Sequence, residues 1–286
     1  MTAVADACCV APAPRLGTRK AVLIVAAVAA AGLAAVVLFA LVSGDAGIVT
    51  AFRARLAAPS FAHPFGTDAL GRDMLARTLK GLALSFRVGL FAATASTIIA
   101  LLLALVAAGG PRWADAIVAY LVDMTMGLPH LVLLILISFA LGGGANAVIV
   151  AVALTHWPRL TRILRAEILQ LREAEFVTVS RNFGKSPVHI ARHHFAPHLI
   201  PQLLVGLVLM FPHAILHEAG LTFLGFGIEP TTPAIGVLLS ESLRYLTAGK
   251  WWLGLFPGLA LLLAVLAFDA IGNGLRTLTD PRGSQS

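Results

Sequence analysis

The sequence predicts an all-α polytopic membrane protein with six transmembrane helices. Three observations lead there. The chain is 58% hydrophobic and only 12% charged, with a mean hydropathy of +0.89, whereas a soluble domain carries about 25% charged residues. Its apolar residues fall into runs of about 20, the length an α-helix needs to cross a bilayer. No polar stretch is long enough to hold a soluble domain, and the main charged interruption, 157–201, has a helical pattern. The net charge of +7 fits the positive-inside rule and attraction to anionic lipid headgroups. Without Lys/Arg runs or interleaved aromatics, it does not point to nucleic acid.

Residues 1–20 read as a short cytoplasmic tail, with Arg15, Arg19 and Lys20 ahead of a first span at 21–42. That run is too long for a signal-peptide core and no clear cleavage site follows, so it reads as a retained span. Cys8 and Cys9 are adjacent in the tail, which argues against a structural disulfide and a metal site and leaves lipidation as an option. Residues 43–84 read as an extracytoplasmic connection. In it Gly66 and Gly71 suggest tight turns, Thr67 or Asp68 a helix cap, and Asp68, Arg72 and Asp73 a local ion-pair and capping cluster. The stretch 74–84, interrupted by Arg77 and Lys80, reads as an amphipathic helix lying along the interface.

Residues 85–278 form the core. Spans are expected at 85–108, at 114–141 with a break near Gly127-Leu128-Pro129, and from 147 into the charged stretch. A fifth follows at 199–224 and a sixth at 253–275. Between the last two, Pro230 and Pro233 precede a short helix at 234–246, and Trp251 and Trp252 mark an interface belt. Residues 279–286 read as a cytoplasmic tail. This topology puts thirteen basic residues inside and eight outside, and the charged stretch supplies most of the inside excess.

That stretch carries seven basic residues and three acids. Leu160, Ile163, Leu164, Ile168 and Leu171 recur at helical spacing. Gly184 is expected to stop the helix in the left-handed C′ position, and Ser186-Pro187 to start another as N-cap and N1. A charged helical elbow between two spans reads as a docking surface.

The elbow resembles the cytoplasmic coupling loop of ABC importer permeases. Its motif places Glu-Ala-Ala, three residues, Gly, then Ile-x-Leu-Pro ending thirteen residues after the Gly. Gly184 and Pro197 hold that spacing, while Thr178, Val179 and Ser180 replace Glu-Ala-Ala, and His194 and Ala196 replace Ile and Leu. Two further stretches, 65–73 (Phe-Gly-Thr-Asp-Ala-Leu-Gly-Arg-Asp) and 218–225 (Glu-Ala-Gly-Leu-Thr-Phe-Leu-Gly), are similar to signatures of the second permease subunit of dipeptide, oligopeptide and nickel importers. Phe256-Pro257-Gly258 and Asp280-Pro281-Arg282 match the family's ending, so the resemblance runs from about Phe65 to Arg282.

It implies a type I ABC importer permease in a bacterial or archaeal cytoplasmic membrane, with both termini inside and a coupling loop at 159–198. The implied partners are a homologous sister permease, two cytoplasmic ATPases and an extracytoplasmic substrate-binding protein. Phe183, Gly184, Lys185, Ser186 and Pro187 would form the tip of the ATPase contact. No phosphate-binding Gly-rich loop occurs here, so no cofactor is expected on this chain, and ATP and Mg belong to the ATPase partners.

Intramembrane polar residues are costly and mark pathways, which makes Asp123, His130, His213, His217 and Glu218 candidates for the translocation path. His213 and His217 share a helix face and offer a candidate metal pair; their plainer role is interhelical hydrogen bonding. His189 with His193, and His194 with His198, sit in the elbow and read as interfacial or partner-facing. Together with Thr155-His156-Trp157, the membrane histidines lean toward nickel-type or chelated-metal cargo over plain dipeptide. Two other functions compete. An ion-coupled secondary transporter would use Asp123 and the histidines, but no inverted repeat supports it. An intramembrane metalloenzyme would use His213 and His217, but Ala214 stands where a zinc protease needs Glu.

Overall fold

The computed structural model describes residues 16–279; Cys8, Cys9 and Asp280-Pro281-Arg282 lie outside them. Every regular element among the described residues is helical: α1 (Leu16–Val42), α2 (Met74–Gly109), α3 (Arg112–Gly127), α4 (His130–Ala140), α5 (Gly144–Arg172), α6 (Glu175–Asn182), α7 (Pro187–Ile190), α8 (Ala196–Phe223), α9 (Ile235–Leu246) and α10 (Trp252–Thr279). Five of them are long and apolar enough to cross a membrane: α1, α2, α5, the helical run ending at Phe223, and α10.

The expected third span is different. It breaks at Gly127–Pro129, as anticipated, but α3 and α4 meet at 96°. Helices of 16 and 11 residues reach only about 24 and 17 Å, short of a hydrocarbon core of about 30 Å. Only the bent pair taken together makes a sixth segment.

The stretch 74–84 does not lie along an interface. It forms the first turns of α2, a single helix of 36 residues. Its polar positions are absorbed by other segments: Arg77 is 1% exposed, and the Lys80 ammonium donates to the Gly44 carbonyl. The cap is neither Thr67 nor Asp68 but Asp73, whose carboxylate accepts from the Ala76 N–H at 2.9 Å. Asp68 instead accepts from the backbone N–H groups of Leu70 and Arg72 at 2.8 and 2.9 Å. Gly71, at φ +76, is indispensable to this turn, because a Cβ there would stand 1.9 Å from the Ala51 carbonyl oxygen. We expect Gly71→Ala to lower the unfolding temperature sharply, since backbone on both sides of the contact must shift. A thermal melt of the purified protein within a degree of wild type would refute this.

α2 is the central pillar. Its small residues Ala92, Ala93, Ala100, Ala104 and Ala108 are all buried, and small residues let membrane helices approach closely. The lower part of α2 shares a core with Trp157, Leu160, Leu164 and Ile168 of α5. The upper part shares another with Phe211 and Ile215 of α8. Trp252, expected in an interface belt, is buried, and its indole N–H donates to the Thr67 carbonyl at 3.4 Å. Trp251 is exposed.

The charged stretch divides earlier than expected. α5 ends at Arg172, and a separate α6 precedes Gly184. Gly184 does adopt φ +73. Its N–H bonds the Arg181 carbonyl at 2.9 Å and the Lys185 N–H bonds the Ser180 carbonyl at 3.2 Å. These are the two bonds of a Schellman C-cap. The Ser186 hydroxyl then accepts from the His189 N–H at 3.2 Å and caps α7. From Pro187 the chain stays helical, through one π turn (Ala191–Phe195), to the end of α8.

Candidate functional site

Proline shapes the site. Pro158 inside α5 cannot donate to the carbonyl of Leu154. The Trp157 indole N–H donates to it instead, at 2.9 Å, so that carbonyl keeps a partner. Beside this interrupted turn lies a cavity of about 650 Å³. α3, α4, α5, α8 and α10 all line it, through residues that include Met126, His130, His156, Arg159, His213, His217 and Asp269.

At the cavity three imidazoles converge from three helices. The ring centroids of His130 and His156 are 4.6 Å apart, those of His130 and His217 4.8 Å, and those of His156 and His217 4.9 Å. One ring nitrogen of each lies within 4.8 Å of the others. His156 Nδ1 is 3.0 Å from the Val152 carbonyl, which can only accept, and 3.1 Å from the Thr155 hydroxyl; the tautomer with Nδ1 protonated satisfies the carbonyl and leaves the lone pair on Nε2. His130 and His217 were legible as path candidates. His156 was visible only as part of the Thr155–Trp157 triplet, because four-residue spacing cannot find a cluster spread over three helices.

The other candidates separate. His213 lines the same cavity one turn from His217 but is not among the three clustered rings. Asp123 is exposed, ion-paired with Arg162 of α5 and outside the cavity lining. Glu218 does not line the cavity. It is fully buried and accepts from the Ser85 hydroxyl at 2.5 Å and the Thr222 hydroxyl at 3.0 Å. Thr222 in turn accepts from the Ile228 N–H at 3.1 Å. The carboxylate therefore ties α2, α8 and the following loop together. Glu218→Leu, which leaves two buried hydroxyls without their acceptor, is expected to cost about 2–4 kcal/mol, and Glu218→Gln about 1. Thermal melts check the order. Loss of solute uptake in Glu218→Gln without loss of stability would restore a path role.

At the far end of α5 the elbow presents a different surface. Thr178, Val179 and Lys185 are exposed, Phe183 is 80% exposed and Val188 76%. Ser180 bonds His194 Nε2 at 3.1 Å, which ties α6 back to the helix that follows. Phe176 lies against His194 and stacks on His198, with centroids 5.5 and 5.7 Å away. Pro197 falls in the first turn of α8. His194 and His198 thus pack against α6, and Thr178 makes only a long bond to the Ala174 carbonyl.

Residues 69–285 match the family described as the binding-protein-dependent transport system inner membrane component. The chain belongs to this family. The matched region takes in α2 to α10, and with them the cavity and the elbow, but not α1. A putative peptide permease protein of Brucella suis is 43% identical over 226 residues, covering 79% of this chain and 75% of its own length. A putative peptide transport system permease protein of the same organism is 39% identical, covering 82% and 78%. A dipeptide transport system permease protein of Alkalihalophilus pseudofirmus is 36% identical, covering 80% and 75%. This permease is thus a multi-pass membrane component of an ABC import system that works with a binding protein and an ATPase.

Proposed function

We propose that this permease forms half of the translocation path of an ATP-driven importer of short peptides. The supporting observation is the 650 Å³ cavity, lined by polar and apolar side chains of five helices, in a chain whose relatives carry peptide-permease names. A homologous sister permease would complete the path. Two cytoplasmic ATPases would grip the elbow from both subunits, with Phe183, Gly184, Lys185, Ser186 and Pro187 at the contact. An extracytoplasmic binding protein would deliver the peptide to the opposite end. Both termini then lie in the cytoplasm. The names of the relatives favour peptides over the nickel-type cargo to which the histidines lean, and family membership disfavours an ion-coupled transporter or a metalloenzyme.

The test is reconstitution with sister permease, ATPases and binding protein in liposomes. A labelled di- or tripeptide should accumulate only with ATP and binding protein. Accumulation driven by a proton gradient without ATPases would establish secondary transport instead. Uptake of free Ni²⁺ with no peptide uptake would replace the cargo.

A further inference from the structure

We propose that His130, His156 and His217 form a binding site for a late first-row divalent cation, such as Ni²⁺, Cu²⁺, Zn²⁺ or Co²⁺, whose remaining coordination positions open into the cavity. Imidazole is the side chain suited to these metals.

Geometry supports the assignment. Metal–nitrogen bonds of about 2.1 Å require nitrogens about 3.0–3.4 Å apart. The three ligand atoms already lie within 4.8 Å of one another. Closing the triangle moves each nitrogen by about 1 Å, within the reach of small χ rotations. His156 is also pre-set as a ligand. Its Nδ1–H donates to the Val152 carbonyl at 3.0 Å, the kind of outer contact that fixes tautomer and ring plane in metal sites.

Packing alone explains less. Edge-to-face rings do favour centroid distances of about 4.5–7 Å. Yet edge-to-face contact leaves the ring nitrogens unused, and neither His130 nor His217 makes a side-chain hydrogen bond to another described residue, while all three rings line the cavity. Three polar rings gathered from α4, α5 and α8 satisfy one another poorly; an ion would satisfy all three. Arg159, three residues beyond His156, lines the same cavity. Arg159 offers that cavity a cation that can hold a carboxylate.

The ion could arrive bare, or as a peptide chelate bound through an amine and a carboxylate. The affinity rests on the three rings alone; the chelate route rests on the peptide-import reading as well. The experiment uses the full transporter without a polyhistidine tag. It is titrated with CoCl₂ and NiCl₂, and separately with Ni²⁺ preloaded on radiolabelled glycylglycine, while ligand-field absorption of Co²⁺ and bound label are followed. One cobalt per chain is expected, with visible bands of low-coordinate Co²⁺. His130→Asn, His156→Asn and His217→Asn should each weaken binding at least about tenfold, and His213→Asn by less than about twofold. Retained label would mark a point on the cargo route, and bound metal without label a resident site; both support the ion site. No saturable cobalt binding, or binding unmoved by all three substitutions in variants that elute as wild type, overturns it. ATP-driven peptide uptake, measured on the same preparations, fails independently if the import reading is wrong.

Discussion

Arg77→Ala should unfold or severely destabilise this permease, by about 3–5 kcal/mol. Arg77 is the largest of the fully buried side chains and is 1% exposed. Its Nη1 bonds Asp68 Oδ2 at 2.5 Å and Glu241 Oε2 at 3.0 Å. It therefore joins the 44–73 segment, α2 and α9 in one ionic knot. Removing it opens a cavity and takes away the buried cation facing Asp68, itself 5% exposed. Removing one partner of a buried pair costs far more than removing an exposed one, whose worth is about 0–1 kcal/mol. Two controls separate the effects. Arg72 also bonds Asp68, at 2.6 Å, but keeps 15% of its side chain exposed and leaves Arg77 to pair the carboxylate, so Arg72→Ala should cost less, about 1–3 kcal/mol. Glu241 is 37% exposed, and Glu241→Gln should cost no more. For a chain of this size the Arg77 loss corresponds to a fall of about 10 °C in Tm. Arg77→Met with Asp68→Asn should recover part of it, because an apolar or neutral replacement removes the unpaired charge. Equal melting temperatures for the Arg77 and Glu241 variants would refute the ranking.

What the sequence reveals here is mostly what the backbone decides locally. The stop at Gly184, the cap at Ser186, the short helix after Pro233 and the break before Pro129 each follow from one or two residues whose φ range or hydrogen-bonding is special. The end of α5 at Arg172 has no such residue: Ala174 is no capping side chain. It follows from tertiary demand. Leu171 and Val177 are both buried, and an unbroken helix would point them about 120° apart. The same limit hid the site. Arg77 reads as an interfacial charge until Glu241, 164 residues away, arrives beside it. Glu218 reads as a costly charge on a path until Ser85, 133 residues away, meets it. His156 has no histidine at helical spacing, and its partners come from α4 and α8. Spacing rules find pairs on one helix; they do not find a triangle of three.

Gly184→Pro is expected to separate ATP hydrolysis from transport, lowering peptide uptake at least about tenfold while the subunits still assemble. The argument starts from the backbone. Proline fixes φ near −65° and has no N–H, whereas position 184 has φ +73 and donates to the Arg181 carbonyl at 2.9 Å. Both bonds of the cap therefore fail, and α7 leaves α6 at another angle. No side chain need clash, because nothing lies within 4 Å of a Cβ built at Gly184. The fold of the core should survive, since the elbow is exposed while the cores beneath it are closed by α2, α5 and α8. What changes is the position of Phe183 relative to Val188, the two large apolar side chains left uncovered at the tip. A lever transmits movement only if its contact is rigid and correctly placed. Gly184→Ala keeps the N–H and pays only the strain of the left-handed conformation, about 1 kcal/mol, and Gly184→Asn less, since Asn tolerates it. Uptake should therefore fall in the order Gly, Asn, Ala, Pro. Thr178→Glu, which restores the acidic residue the coupling motif usually has, should leave uptake near wild type, because Thr178 is exposed and makes only a long bond to the Ala174 carbonyl, so the longer side chain displaces no packed neighbour. A Pro variant that assembles and transports like wild type would show that the elbow does not carry the motion.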